Sequence, residues 1–217
     1  TGKPVNEDSV GKQKKILNNF LESIKTESKM RKVTPESREA LLQHYGVRTT
    51  WLDVVDNIWV ALWFACHHAR TFGQTEEYLH FEKRVAENSK KDEYAYILLL
   101  ASAYFNSTAP GYYQHNRTET IDLRVAVPSH FIRPHAQHGL LVRKLNSRGH
   151  PAKDASPLHV GTIRIKLSLA LDWLGTASTL TNHTLFPPAF YDYGYQELLK
   201  DINPSNKNLG SIYRVQA

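Results

Sequence analysis

The sequence of 217 residues lacks several features that would place it quickly in a functional class. Its single cysteine, Cys66, excludes a disulfide within the chain and lies in an apolar segment, which predicts a packed thiol rather than a nucleophile. The longest uncharged apolar run covers only residues 58–66 and is too short to span a bilayer. The polar start TGKPVNEDS does not resemble a secretory signal. These absences predict a cytoplasmic protein without a membrane partner.

Common nucleotide and catalytic signatures are missing as well. No P-loop, no Rossmann glycine fingerprint and no G-x-S-x-G element occurs. The eleven histidines include no HExxH pair, so no metal site is predicted. A net charge of +6 is compatible with an anionic partner such as nucleic acid. Acidic residues are interleaved with the basic ones near the N-terminus, however, which is typical of a solvated helix face.

Helical patterns come first in the chain, and strand patterns dominate later. Amphipathic spacing predicts a helix over residues 9–25, and Pro35 begins a second helix that ends before Gly46. Asn57 can cap a helix extending to about residue 69, and its apolar circumference predicts burial. Strands are predicted at residues 94–101, 121–127, 139–144 and 160–167, with a short helix capped by Ser168 and a final helix within residues 187–202. This order predicts an α+β fold in a single domain over residues 1–217, with N-terminal helices, a buried central helix and a mixed or antiparallel sheet.

A polar, turn-forming segment runs directly into the apolar helix over residues 43–69, with the sequence QHYGVRTTWLDVVDNIWVALWFACHHA. This junction resembles the FRG domain family, whose pattern is roughly Q-H-x-G-L-P-T-R-L-L-D-W-T-x-N-P-x-x-A-L-x-F-A. Two later segments are similar to the family too, namely A-Q-H-G-L at residues 136–140 and L-F-P at residues 185–187. The residues that fall on the main pattern are Gln43, His44, Gly46, Thr49, Leu52, Asp53, Asn57, Ala61, Leu62, Phe64 and Ala65.

The sequence departs from the family in two respects. The aromatic-Arg-Gly triplet that gives the family its name does not occur before Gln43, and the only Arg-Gly pair is Arg148-Gly149. Either residues preceding Thr1 carry the triplet, or the chain is a divergent member that has lost it. In addition, Arg48, Thr50, Val54, Val55 and Ile58 stand where the family usually has Pro, Arg, Trp, Thr and Pro.

The resemblance implies a particular chemistry, because the FRG segment is similar in layout to ADP-ribosyltransferase folds. In those folds a strand with small hydroxyl residues leads into a helix, and both wall the nicotinamide pocket. By this analogy Asp53 and Gln137 would be catalytic, while a carboxylate or amide beside the ribose and a cationic clamp on the pyrophosphate would stabilise an oxocarbenium-like state. The residues expected to bind the nucleotide are Gln43, His44, Arg48, Thr49, Thr50, Arg133 and His138.

The resemblance therefore implies NAD as a substrate rather than a permanent cofactor, and a protein or nucleic-acid acceptor, in a toxin or defence protein. The alternatives are a noncatalytic ligand- or protein-binding module of the same fold and a nucleic-acid-binding protein. Asp53 and Asn57 could equally cap the following helix, and His44 and Gln137 could tie down loop carbonyls. The catalytic interpretation requires the loops around Asp53 and Gln137 to line one polar hollow.

Overall fold

Helices and strands are largely segregated along the chain, as the sequence predicts for an α+β fold. The computed structural model describes residues 7–25, 30–74, 78–86, 93–102, 105, 107–152, 154–175, 179–202 and 206–216. The α-helices in these ranges are α1 (Glu7–Ile24), α2 (Pro35–His44), α3 (Ile58–Ala65), α4 (Leu123–Ala126), α5 (Arg133–Ala136), α6 (Leu167–Leu174), α7 (Asn182–Leu185) and α8 (Tyr193–Asp201). The strands are β1 (Leu52–Val55), β2 (His67–Phe72), β3 (Tyr78–Lys83), β4 (Tyr94–Leu100), β5 (Ser107–Ala109), β6 (Tyr112–His115), β7 (Thr118–Asp122), β8 (Gly139–Lys144), β9 (His159–Lys166) and β10 (Arg214–Gln216).

The strands form three separate sheets. The largest is antiparallel, with the order β1-β8-β7-β6-β5, so that β1 lies at its edge. A second sheet has the order β10-β3-β2 and is mixed, because β10 runs parallel to β3 while β2 runs antiparallel to it. The third is the antiparallel pair β4-β9. Both kinds of sheet that the sequence left open, mixed and antiparallel, are therefore present.

The central helix α3 packs between the two smaller sheets. One side of it, including Leu62 and the following Cys66, joins Ala95 and Ile97 of β4 in a buried cluster with α6. Val60 and Trp63, on another side, join Phe81 of β3 and the segment of residues 185–186 in a second cluster. The predicted burial of this helix is confirmed for these positions, whereas Ile58 and Trp59 in the first turn are each 51% exposed.

The beginning of α3 follows the sequence prediction and its end does not. The side chain of Asn57 accepts hydrogen bonds from the backbone N–H groups of Trp59 and Val60, as an N-cap residue does. The helix ends at Ala65 instead of near residue 69, because β2 starts at His67 and pairs with β3. Pairing with the next strand along the chain overrides the helical preference of residues 66–69.

The predicted strand at residues 121–127 is also partly wrong. Strand β7 ends at Asp122, whose side chain accepts a hydrogen bond from the backbone N–H of Arg124 and so begins α4. The predicted cap at Ser168 is wrong too, since α6 begins at Leu167 without a side-chain cap. Among the residues that the structure describes, no helix is long and apolar enough to cross a membrane.

Candidate functional site

The last two residues of α2 hold the carboxylate of Asp53, the second residue of β1. Nε2 of Gln43 donates to Oδ2 of Asp53 at 3.0 Å, and Nδ1 of His44 lies 3.2 Å from the other carboxylate oxygen. Oε1 of Gln43 in turn accepts hydrogen bonds from the backbone N–H of Thr49 at 3.0 Å and from its hydroxyl at 2.9 Å. Four residues expected in the nucleotide cleft thus form one hydrogen-bonded unit, in which Thr49 orients the amide of Gln43.

Gly46 allows the chain to turn sharply between the end of α2 and Thr49. Its φ of 119° lies in the region that favours glycine. A Cβ atom at this position would lie 2.4 Å from the ring of Tyr213 and 2.5 Å from the carbonyl oxygen of Ser211. The backbone N–H of Arg48 continues the contact by donating to the carbonyl of Leu209 at 2.8 Å. The segment carrying the FRG-like pattern is therefore held against the C-terminal residues of the chain.

Arg133, the first residue of α5, is a cation buried among aromatic rings. Its side chain is fully buried, and its guanidinium carbon lies 4.3 Å from the ring centre of Tyr45 and 4.4 Å from that of Tyr195. The ring of Phe186 is 5.4 Å away. Within the part of the chain that the structure describes, Nε and Nη2 of Arg133 have no hydrogen-bond partner. Burial of a guanidinium with unused donors is costly unless an acceptor is bound there.

The position of Arg133 depends on a second buried residue, Asp192. One oxygen of this carboxylate accepts from the Tyr45 hydroxyl at 2.8 Å and from the backbone N–H of Arg133 at 3.0 Å. The other oxygen accepts from the backbone N–H of Tyr195 at 2.9 Å and caps α8. Burial and the neighbouring Asp192 carboxylate raise the pKa of Tyr45 well above its ordinary value. Sequence reasoning missed this network because no local pattern links residues so far apart.

Gln137 and His138 are neighbours in sequence whose side chains have different environments. Gln137 is buried and its Nε2 donates to the carbonyl oxygen of Leu185 at 2.7 Å. His138 has a φ of 52°, which is unusual for a residue with a side chain. Its ring contacts Asp56 at 3.1 Å and Arg124 at 3.3 Å.

His138 therefore belongs to a charged cluster that the sequence did not reveal. Arg124 donates to Asp56 through both terminal nitrogens, at 3.1 and 2.8 Å, and also to Asp122. Burial by itself would raise the pKa of Asp56, but hydrogen bonds and charge from Arg124 and His138 outweigh it and lower that pKa. Nε2 of His138 also lies 3.3 Å from the amide of Asn57. The cluster ties the start of α3 to the loop after α5.

A cavity of about 480 Å³ brings together six of the nine side chains expected in the site. Its volume is within the range of about 300–1,000 Å³ that is usual for small-molecule sites. These six side chains are Gln43, His44, Arg48, Asp53, Arg133 and Gln137, and Tyr213 also lines the cavity. Apolar lining comes from Val54, Val55, Ala61, Phe64, Leu79, Phe81 and Phe186. Asp53 and Gln137 thus line the same cavity, although they are 84 positions apart in the sequence.

Three expected site residues do not line this cavity. Thr49 acts on it through Gln43, and His138 lies in the charged cluster described above. Thr50 points elsewhere, since its hydroxyl donates to Glu39 at 2.8 Å and accepts from Arg143 at 3.1 Å. The expectation that Thr50 and His138 contact a ligand in this cavity therefore finds no support in their placement.

A larger cavity of about 770 Å³ adjoins this one. Of these two cavities, only the larger is lined by Leu52 of β1 and by Leu140 and Val142 of β8. The remaining lining includes exposed apolar side chains of β4. Five residues line both cavities, namely Asp53, Val54, Val55, Ala61 and Phe64.

Comparison with known proteins connects part of this site to a family. Residues 3–74 match the FRG domain. The FRG match contains the hydrogen-bonded unit around Asp53 together with α3, and so confirms the resemblance noted for the main motif. It does not extend to Arg133 or Gln137, which complete the cavity. No curated protein and no solved structure matches the chain.

Proposed function

We propose that the cavity of about 480 Å³ binds a nucleotide of the NAD class and that the protein cleaves its nicotinamide glycosidic bond, passing ADP-ribose to a protein or nucleic acid or to water. The observation that carries this proposal is the convergence of Asp53 with the buried cation of Arg133 on one cavity. The two groups come from distant parts of the sequence, and only one belongs to the FRG match. Such an activity on a cellular macromolecule would suit a toxin or defence protein.

The guanidinium of Arg133 is suited to bind the anionic part of this ligand. Its Nε and Nη2 groups are donors without an acceptor among the described residues, and a planar guanidinium binds phosphate oxygens through paired hydrogen bonds. Stacking on Tyr45 and Tyr195 fixes the plane of the group before a ligand arrives. A pyrophosphate would supply acceptors for these two donors.

Asp53 and the aromatic lining are suited to the nicotinamide-ribose end of the ligand. The carboxylate of Asp53 is held by Gln43 and His44, so negative charge is fixed in the lining of the cavity, where positive charge would develop on the ribose. Phe64, Phe81 and Phe186 provide apolar surface suited to a flat ring such as nicotinamide. Breaking this glycosidic bond requires mainly positioning and charge stabilisation from the protein.

Incubation of the full chain with NAD tests the proposal, with nicotinamide release and heat of binding as readouts. Arg133→Gln should weaken NAD binding about tenfold or more, since hydrogen bonds to charged groups contribute about 1.5–3 kcal/mol and 1.4 kcal/mol is tenfold in affinity. Arg164→Gln is the matched control, because its guanidinium also stacks on a tyrosine, at 4.5 Å, but lies on β9 and is exposed. Circular dichroism spectra and melting temperatures should establish that both variants fold.

The possible results separate the candidate functions. Binding of NAD without release of nicotinamide would favour a noncatalytic ligand-binding module of the same fold. Neither binding nor release would overturn the proposal. Binding of nucleic acid that weakens steeply with salt and is unaffected at Asp53 would instead favour the basic N-terminal region as the functional surface.

A further inference from the structure

His44 has an unused ring nitrogen beside the candidate cavity. Its side chain is 5% exposed, and its Nδ1 contacts Oδ1 of Asp53 at 3.2 Å. The opposite ring nitrogen, Nε2, is buried and has no hydrogen-bond partner among the residues that the structure describes. Gln43 occupies the second oxygen of Asp53 and prevents the carboxylate from rotating away. The imidazole is therefore held from one side only.

This arrangement selects one tautomer of the neutral ring. An ionised carboxylate can only accept hydrogen bonds, so the contact with Asp53 places the proton on Nδ1 of His44. Nε2 then carries a lone pair and acts as a hydrogen-bond acceptor. A buried acceptor without a partner is suited to a hydroxyl group or water brought by a ligand.

Gly139, the first residue of β8, leaves the space that the ring occupies. A Cβ atom on Gly139 would lie 2.8 Å from Cε1 of His44 and 3.2 Å from Nε2. The other titratable or charged groups around the ring are Tyr45, whose ring centre is 6.0 Å away, and Arg48, Arg133 and Tyr213, which line the same cavity. Among the described residues, Asp53 provides the only hydrogen bond to the imidazole of His44.

We propose that His44 is the proton acceptor of the reaction and that Asp53, besides fixing negative charge beside the ribose, positions the imidazole of His44. This inference rests on the proposed function, because it concerns the same cavity and the same bond cleavage. It differs from the expectation drawn from the sequence, in which His44 only binds the nucleotide. Asp53 would hold the Nδ1–H tautomer and stabilise the imidazolium that forms, a division of labour common to carboxylate-histidine pairs.

The step balances without any further reagent. The oxygen of an acceptor hydroxyl or water forms a bond to C1′ of the nicotinamide ribose. The bond from C1′ to the nicotinamide nitrogen breaks, and its electron pair neutralises the positive charge of the ring. The proton of the attacking hydroxyl passes to Nε2 of His44, so the positive charge lost by the dinucleotide appears on the imidazolium.

The pH profile of nicotinamide release tests the role of His44. A general base typically contributes about 10²–10⁴-fold, so His44→Gln should release nicotinamide about 100-fold more slowly or worse while retaining NAD binding. The variant should also lose the decline of the wild-type rate on the acidic side of the profile. Asp53→Asn should slow the reaction but keep that decline. His159→Gln is the control, because His159 lies on β9 and its ring nitrogen contacts the hydroxyl of Thr162, away from the candidate cavity.

A second measurement is independent of activity and of the folding of any variant. The ¹⁵N NMR signals of the His44 ring in the free wild-type protein should show a protonated Nδ1 and an unprotonated Nε2 in the neutral form. An Nε2–H tautomer would overturn the inference, as would a His44→Gln variant with the wild-type rate and profile. Absence of nicotinamide release from the wild-type protein would instead overturn the proposed function and with it the chemical step.

Discussion

Substitution of Asp192 by alanine should be among the most destabilising single changes in this protein. Its fully buried carboxylate caps α8 and accepts hydrogen bonds from the Tyr45 hydroxyl and the backbone N–H of Arg133. Loss of an N-cap costs about 1 kcal/mol. Each buried donor left without a partner costs about 1–3 kcal/mol, and two donors would be orphaned here. The free energy of unfolding should therefore fall by at least about 3 kcal/mol, a large part of the ~5–15 kcal/mol that holds a typical domain together.

Equilibrium unfolding in urea measures this loss directly, provided that the slope with denaturant is unchanged. Asp154→Ala is the control, because Asp154 also accepts two local hydrogen bonds, from the backbone and hydroxyl of Ser156, but is exposed to solvent. Its loss should stay within about 0.5 kcal/mol. If Asp192→Ala cost no more than this control, the buried network would not support the position of Arg133, and the geometry of the candidate anion site would lose its basis.

Two further changes probe the loop after α5 and its neighbours. Gly139→Ala should displace the ring of His44 and lower the free energy of unfolding by about 1–3 kcal/mol, as overpacking usually does. Gly161→Ala is the control, because its added methyl group would meet only an ordinary contact at 3.6 Å. An unchanged ring environment in NMR spectra would contradict this. Because Arg124 lowers the pKa of Asp56, the stabilising effect of this pair should be present above the ordinary aspartate pKa and be lost as the pH falls through the lowered value. Carbon NMR titration should show that Arg124→Gln raises the pKa of Asp56, and an unchanged pKa would refute the assigned cause.

Local chemistry explains what could be predicted about the start of the site. Pro35 begins α2 and Asn57 caps α3, because both preferences act within a few residues and need no tertiary partner. The placement of Gln43 and His44 at the end of α2 follows from the same local rules. These positions lie in the part of the chain that matches the FRG domain.

Errors in the prediction occurred where pairing with another strand or a single capping group decided the outcome. Residues 67–69 were predicted to extend α3 but belong to β2, because β3 provides hydrogen-bond partners for their backbone. Asp122 ends β7 and starts α4 through one hydrogen bond, which an alternating apolar pattern does not reveal. How far the domain extends along the chain stays a prediction.

The sequence by itself determined that a polar loop containing Asp53 leads into an apolar helix, because turn, cap and periodicity signals are local. Only the tertiary structure decided which distant groups face that loop. A hydrogen bond to Asp192 holds Arg133 at the cavity. Hydrogen bonds to Glu39 and Asp56 hold Thr50 and His138 outside it. Each of these side chains is placed by a hydrogen-bond partner elsewhere in the chain. The distance between the two partners is set by the fold and cannot be read from a sequence pattern.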